Sequence, residues 1–143
     1  MKKLITLFAI LLSISNINAQ KWTYHLEDAK TIATKEDKKI LLVFSGSDWC
    51  APCIKLDRQV FQTKIFQNYA NSHYTLLKAD FPRRKKNQLS EAQKKHNAQL
   101  FETYNPQGYF PFVVVLNQKG ETLGATSFFN DTPENYIKKL NTF

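Results

Sequence analysis

Cys50 and Cys53 are the two cysteines of this 143-residue chain, and two residues separate them. A pair of thiols at that spacing can pass two electrons to a disulfide, because a thiolate attacks one sulfur and releases the other. The pair lies in Trp49-Cys50-Ala51-Pro52-Cys53, shortly after the apolar run Ile40-Leu41-Leu42-Val43-Phe44. A strand that delivers Cys-x-x-Cys to the start of a helix is the layout of a dithiol–disulfide redox site. The first turn of a helix carries unpaired N–H groups and partial positive charge, which favour a thiolate over a thiol. Two other uses of the pair are open. A zinc half-site needs two further ligands, and His25, His73 and His96 are scattered without ligand spacing, so no metal is assigned. A purely structural disulfide is possible, but so small a loop restrains the unfolded chain little.

The surrounding elements follow from apolar periodicity and turn chemistry. Residues 26–38 read as a polar helix with Leu26, Ala29, Ile32 and Ala33 on one face. Trp22 and Tyr24 mark a short first strand, and residues 39–45 a buried central one. A helix starts near Cys50, kinks near Thr63 and continues to Asn71; Pro52 is tolerated in its first turn, where an N–H is not needed. Residues 74–80 read as a strand that Phe81-Pro82 ends. Ser90 with Gln93 gives a capping-box start to a helix reaching Tyr104. Asn105-Pro106-Gln107-Gly108 is a turn. Residues 111–116 and 121–127 form a hairpin about Asn117–Gly120, and Thr132-Pro133-Glu134 opens a last helix. The element order predicts an α/β fold, with helices covering a central mixed β-sheet.

Residues 1–19 read as a signal peptide: Lys2 and Lys3, an apolar stretch from Leu4 to Leu12, and Ile17-Asn18-Ala19 before Gln20, with secretion, or an uncleaved membrane anchor, as the alternatives to a periplasmic destination. Residues 20–143 then form one domain of 124 residues, enough for a single core. Its net charge is +6, two less than the +8 of the full chain, since the leader carries two lysines and no acids. Export places the cysteines in an oxidising compartment. Arg83-Arg84-Lys85-Lys86 is the main charge run. It reads as a solvated loop, with guidance of an acidic partner or contact with an anionic membrane as alternatives. Nucleic acid is not expected, because the basic run has no interleaved aromatic residues.

The Trp-Cys-x-Pro-Cys motif at residues 49–53 resembles the active-site signature of the thioredoxin family. Phe110-Pro111 before Phe112-Val113-Val114-Val115-Leu116 resembles that family's cis-proline and the strand it opens. Asn117-Gln118-Lys119-Gly120-Glu121 is similar to its hairpin turn. The resemblance covers roughly residues 36–140 and implies the thioredoxin fold. It also implies an exposed attacking Cys50 and a more buried resolving Cys53. Trp49, Pro52, Phe110 and Pro111 are implied to contact substrate, with Tyr109 beside them at the groove rim. No bound cofactor is implied beyond the redox-active disulfide itself. Counting back from Trp49 puts Phe44 where many members of the family hold a buried acid. Leu76 is nearest to their partner lysine; Lys78 and Asp80 read as solvent-facing charges at a strand end, with substitution for the missing pair as the alternative if strand register puts them on the face of Leu76.

The secretion signal and the lead-in Gly46-Ser47-Asp48-Trp49 are similar to thioredoxin-like proteins of the bacterial envelope. The expectation is a periplasmic, monomeric thiol–disulfide oxidoreductase acting on disulfide-bearing exported proteins. Ala51-Pro52 is close to the Gly-Pro of reducing thioredoxins, which favours a reductase or electron relay supplied by a membrane-bound thiol reductase. Disulfide oxidase or isomerase activity, a copper-handling module and a protein-interaction domain are the alternatives.

Overall fold

The computed structural model describes residues 20–143; the expected leader lies outside the described residues. The strands are β1 (Trp22–Thr23), β2 (Lys39–Ser45), β3 (Tyr74–Asp80), β4 (Phe112–Leu116) and β5 (Thr122–Thr126). They form one sheet in the order β1-β3-β2-β4-β5. β1, β3 and β2 run parallel, and β4 and β5 add antiparallel. β2 is central and covered on both faces, which is why its sequence is a continuous apolar run and does not alternate with polar residues.

The helices are α1 (Leu26–Glu36), α2 (Ala51–Leu56), α3 (Lys64–His73), α4 (Glu91–Tyr104) and α5 (Pro133–Leu140). Strand alternation splits the core in two. Leu41 and Val43 pack with Leu56, Val60, Phe61, Phe66, Tyr136 and Leu140 under α2, α3 and α5. Ile40, Leu42 and Phe44 pack with Ala29, Ala33 and Leu100 under α1 and α4.

The expected long helix is interrupted between Cys50 and Asn71. A π-helical turn, Asp57–Phe61, follows α2, and Thr63 caps a new helix by accepting from Phe66 N at 3.3 Å. α1 stops at Glu36, two residues early, because Asp37 takes a left-handed conformation with φ 52°. At α4, Ser90 Oγ accepts from Gln93 N at 3.2 Å, but the Gln93 amide donates to Tyr24 O and Asn97 Oδ1. The capping box is therefore half-formed, and its second side chain ties the segment after β1 to α4. The hairpin turns on Asn117, whose Oδ1 accepts from Lys119 N and Glu121 N.

The start of α1 has an unusual cap. His25 makes no capping bond, and His96 of α4 accepts from Leu26 N through Nε2 at 3.3 Å. Burial, then the neighbouring His25, hold the His96 imidazolium below its ordinary pKa, with Asp28 opposing. The unfolded chain therefore takes up this proton first as pH falls. Stability is expected to drop as pH moves down through the ordinary histidine value of about 6.5 toward the lower folded value. Thermal unfolding between pH 7 and pH 5 checks this. The midpoint should fall with pH, and His96→Gln, which accepts the same N–H without charging, should flatten the fall.

Candidate active site at Cys50 and Cys53

β2 ends at Ser45, and the chain reaches α2 through a tight turn in which Cys50 N donates to Gly46 O at 2.9 Å. Cys50 is the N-cap of α2, with φ −90° and ψ 98°, and its Sγ accepts from Cys53 N at 3.3 Å. The sulfur thus occupies the place a capping oxygen takes, against a free N–H of the first helical turn. Pro52 lies in that turn, exposed, where its missing N–H costs nothing. Cys50 and Cys53 are joined as a disulfide with a Cα–Cα distance of 5.2 Å. The expected exposure of Cys50 is corrected: it is 5% exposed, against 3% for Cys53. Its Sγ is bonded to Cys53 Sγ and lies against the first turn of α2.

Trp49 is half-buried and held on four sides. Its Nε1 donates to Phe81 O at 2.7 Å, and the Phe110 ring meets it edge-on at 5.4 Å. The Arg83 guanidinium lies 3.8 Å from its ring centre. Gly46 lies beneath it so closely that a Cβ there would stand 2.3 Å from the indole. Phe110 also packs on Phe81 and Phe101, with centroids 5.6 and 6.1 Å away. Of the two aromatic residues expected at a groove rim, Tyr109 is 56% exposed, while Phe110 is half-buried in this stack. The Phe110–Pro111 peptide is cis. Pro111 is buried, accepts from Ser127 Oγ through its carbonyl at 2.7 Å, and lines a cavity of about 260 Å³ together with Cys53.

That cavity corrects the assignment of Phe44. Its walls from β2 are Val43 and Ser45, and from β3 Lys78. Phe44 points through the opposite face of the sheet, against Phe101 and Phe112. Counting back from Trp49 assumes a fixed lead-in length, and one residue of difference inverts every side chain of a strand. Leu76 is on the cavity's face but belongs to the core beneath it. Lys78 and Asp80 are not solvent-facing strand-end charges. Lys78 lines the cavity with Asp57 and Arg58, its Nζ 4.4 Å from the Trp22 ring centre. Asp80 accepts from Ser47 N at 2.9 Å and Ser47 Oγ at 2.6 Å, fixing the lead-in to the redox pair.

Asp48 makes a second fastening that sequence reasoning missed. Its carboxylate accepts from Arg83 N, Arg84 N and Asn87 Nδ2 at 2.9, 3.0 and 2.8 Å. The Arg83 N–H and the Asn87 amide hold its pKa below the usual value against a smaller desolvation effect, with help from the Arg84 N–H and charge. No local pattern links Asp48 to a backbone 35 residues on. Elsewhere, His73 stacks on Tyr69, and His25 and His96 lie 4.9 Å apart. Among the described residues no group of three His, Cys, Asp or Glu is placed to hold a metal ion, and no helix is long and apolar enough to cross a membrane.

Residues 21–118 match the thioredoxin-like family. The disulfide bond reductase DsbH of Chlamydia pneumoniae is 30% identical over 131 residues, spanning 92% of this chain and 75% of that protein. A solved structure of a DsbH oxidoreductase superposes with a TM-score of 0.78 at 28% identity, covering 92% of this chain and 90% of the other. A thioredoxin from Thermus thermophilus, 14% identical, shares the fold with a TM-score of 0.64 over 85% of each chain. With a disulfide-linked Cys-x-x-Cys at the head of α2, a cis-proline bordering the same cavity and these relatives, the chain belongs to the thioredoxin-like family and is a thiol–disulfide oxidoreductase.

Proposed function

We propose that the protein works as a reductase or electron relay for disulfide-bearing exported proteins. The observation that carries this is Cys50 Sγ at the N-cap of α2, within reach of the Cys53 N–H. In the reduced protein that N–H and the helix end favour a Cys50 thiolate. The thiolate attacks one sulfur of a substrate disulfide, and the other substrate sulfur leaves and takes a proton. Cys53, as thiolate, then attacks Cys50 Sγ and releases the second substrate sulfur. Two electrons have moved to the substrate, and Cys50–Cys53 is oxidised. A membrane-bound thiol reductase returns two electrons by the same exchange.

Trp49, Pro52, Phe110 and Pro111 border the substrate path, with exposed Tyr109 beside them. We assign proton removal from Cys53 to the cavity it shares with Asp57 and Lys78, not to a carboxylate at the Phe44 position. The disulfide is the only redox group this chemistry requires. Residues 1–19 act as the export signal, giving a monomeric periplasmic protein that begins at Gln20.

The reductive direction is supported by Ala51-Pro52, which lacks the histidine that stabilises the thiolate in strongly oxidising relatives, and by the reductase name of the Chlamydia relative. Insulin tests it. In dithiothreitol, catalytic amounts of the protein should advance the onset of insulin B-chain precipitation severalfold over the reagent alone. An unchanged onset would contradict protein-disulfide reduction.

A further inference from the structure

The chain's strongest charge run is fastened to its redox loop. Arg83, Arg84, Lys85 and Lys86 are all exposed. Among the described residues none of the four forms an ion pair; the salt bridges there involve Lys30, Lys38, Lys94 and Lys139. Asp48, two residues before Cys50, receives the Arg83 and Arg84 backbone N–H groups and the Asn87 amide. It thereby holds the segment in place through its backbone, with the Arg84 charge close enough to favour the carboxylate. Gln88 Nε2 closes the loop on Pro82 O and Arg84 O at 3.2 and 3.3 Å. Arg83 is spent on the Trp49 ring, and Arg84 faces the Asp48 it helps keep ionised, which leaves Arg84, Lys85 and Lys86 as exposed cations outside any ion pair among the described residues, on a segment anchored to the residue two before Cys50.

We propose that Arg84, Lys85 and Lys86 form a docking surface for acidic polypeptide next to the disulfide that Cys50 attacks. This rests on the reading of Cys50–Cys53 as a site of exchange with protein substrates, in either direction. A solvated loop has no need of a carboxylate that accepts three donors from it. Because the cations share their anchor with the redox loop, whatever they attract is brought to Cys50, and what reacts at Cys50 is a polypeptide disulfide. Exposed charges of this kind contribute little to static affinity. They act on encounter, raising association rates by about tenfold or more at low salt.

The test compares two disulfide-bridged peptides that differ only in glutamates or lysines flanking the cysteines, with hydroxyethyl disulfide as an uncharged control. For the reduced protein, the exchange rate constant at low salt should be about tenfold or more higher for the acidic peptide. The ratio should collapse near about 1 M salt, where the Debye length is about 3 Å. The variant K85E/K86E, which keeps Arg83 on Trp49 and Arg84 beside Asp48, should lose most of the preference and exchange with hydroxyethyl disulfide at the unaltered rate. Equal rates for the two peptides, with the control still exchanged, would overturn the docking surface and leave the redox function standing. Failure to exchange even the control would overturn both. Sedimentation with phosphatidylglycerol vesicles that the variant loses, at a peptide ratio near one, would overturn the proposal and give the patch to a membrane surface.

Discussion

Cys50→Ser is expected to reduce disulfide exchange to the rate of the external thiol alone, while Cys53→Ser still attacks and then stalls. The asymmetry follows from position. Cys50 caps α2 and takes the Cys53 N–H, whereas Cys53 lies one turn into the helix at the wall of the inner cavity. With the resolving thiol gone, the mixed disulfide has no internal route to release, so covalent complexes with substrate accumulate. Non-reducing electrophoresis of each variant after incubation with a disulfide protein checks this. Stable adducts are expected for Cys53→Ser and none for Cys50→Ser. Adducts of equal yield from both variants would contradict the division of roles.

The second large effect concerns stability. Phe66 is fully buried in the cluster under α2, α3 and α5, with its ring 4.9 Å from that of Phe61. Phe66→Ala removes a large apolar surface and leaves a cavity between a helix and the central sheet. The expected loss is about 3–5 kcal/mol, a large part of the roughly 5–15 kcal/mol that stabilises an ordinary domain. Urea unfolding followed by tryptophan fluorescence should show a lower midpoint with an unchanged slope. A loss below about 1 kcal/mol would mean the site collapses around the missing ring.

Much of this architecture is legible in the residues. The run 40–44 is apolar at every position because β2 is covered on both faces, and the observed strand matches the expected span of 39–45. The span 74–80 is recovered as β3. Ser90 and Thr132 are legible as helix starts, because a hydroxyl that accepts a first-turn N–H is a local device, whereas Thr63, expected only as a kink, caps a new helix. The Cys-x-x-Cys pair was legible because its spacing and the helix that follows are local too.

What was not legible depends on facing and on contacts distant in sequence. Phe44 was assigned to the wrong side of the sheet, since residue counting cannot see how many residues the Gly46–Trp49 turn consumes. Lys78 and Asp80 looked like solvent-facing ends, yet one lines the cavity beside Cys53 and the other fixes Ser47. Asp48 carries no local signature, because two of its three partners are backbone N–H groups that any residue except proline supplies and the third, the Asn87 amide, is distant in sequence.

The equilibrium reduction potential of Cys50–Cys53, measured against glutathione and thiol buffers, tests the central claim most directly. A value near about −270 mV, in the range of thioredoxin, is the result predicted for a reductase supplied with electrons from the membrane. A value between about −180 and −120 mV, in the range of isomerases and oxidases, would contradict the reductive assignment and reverse the direction in which Cys50 works.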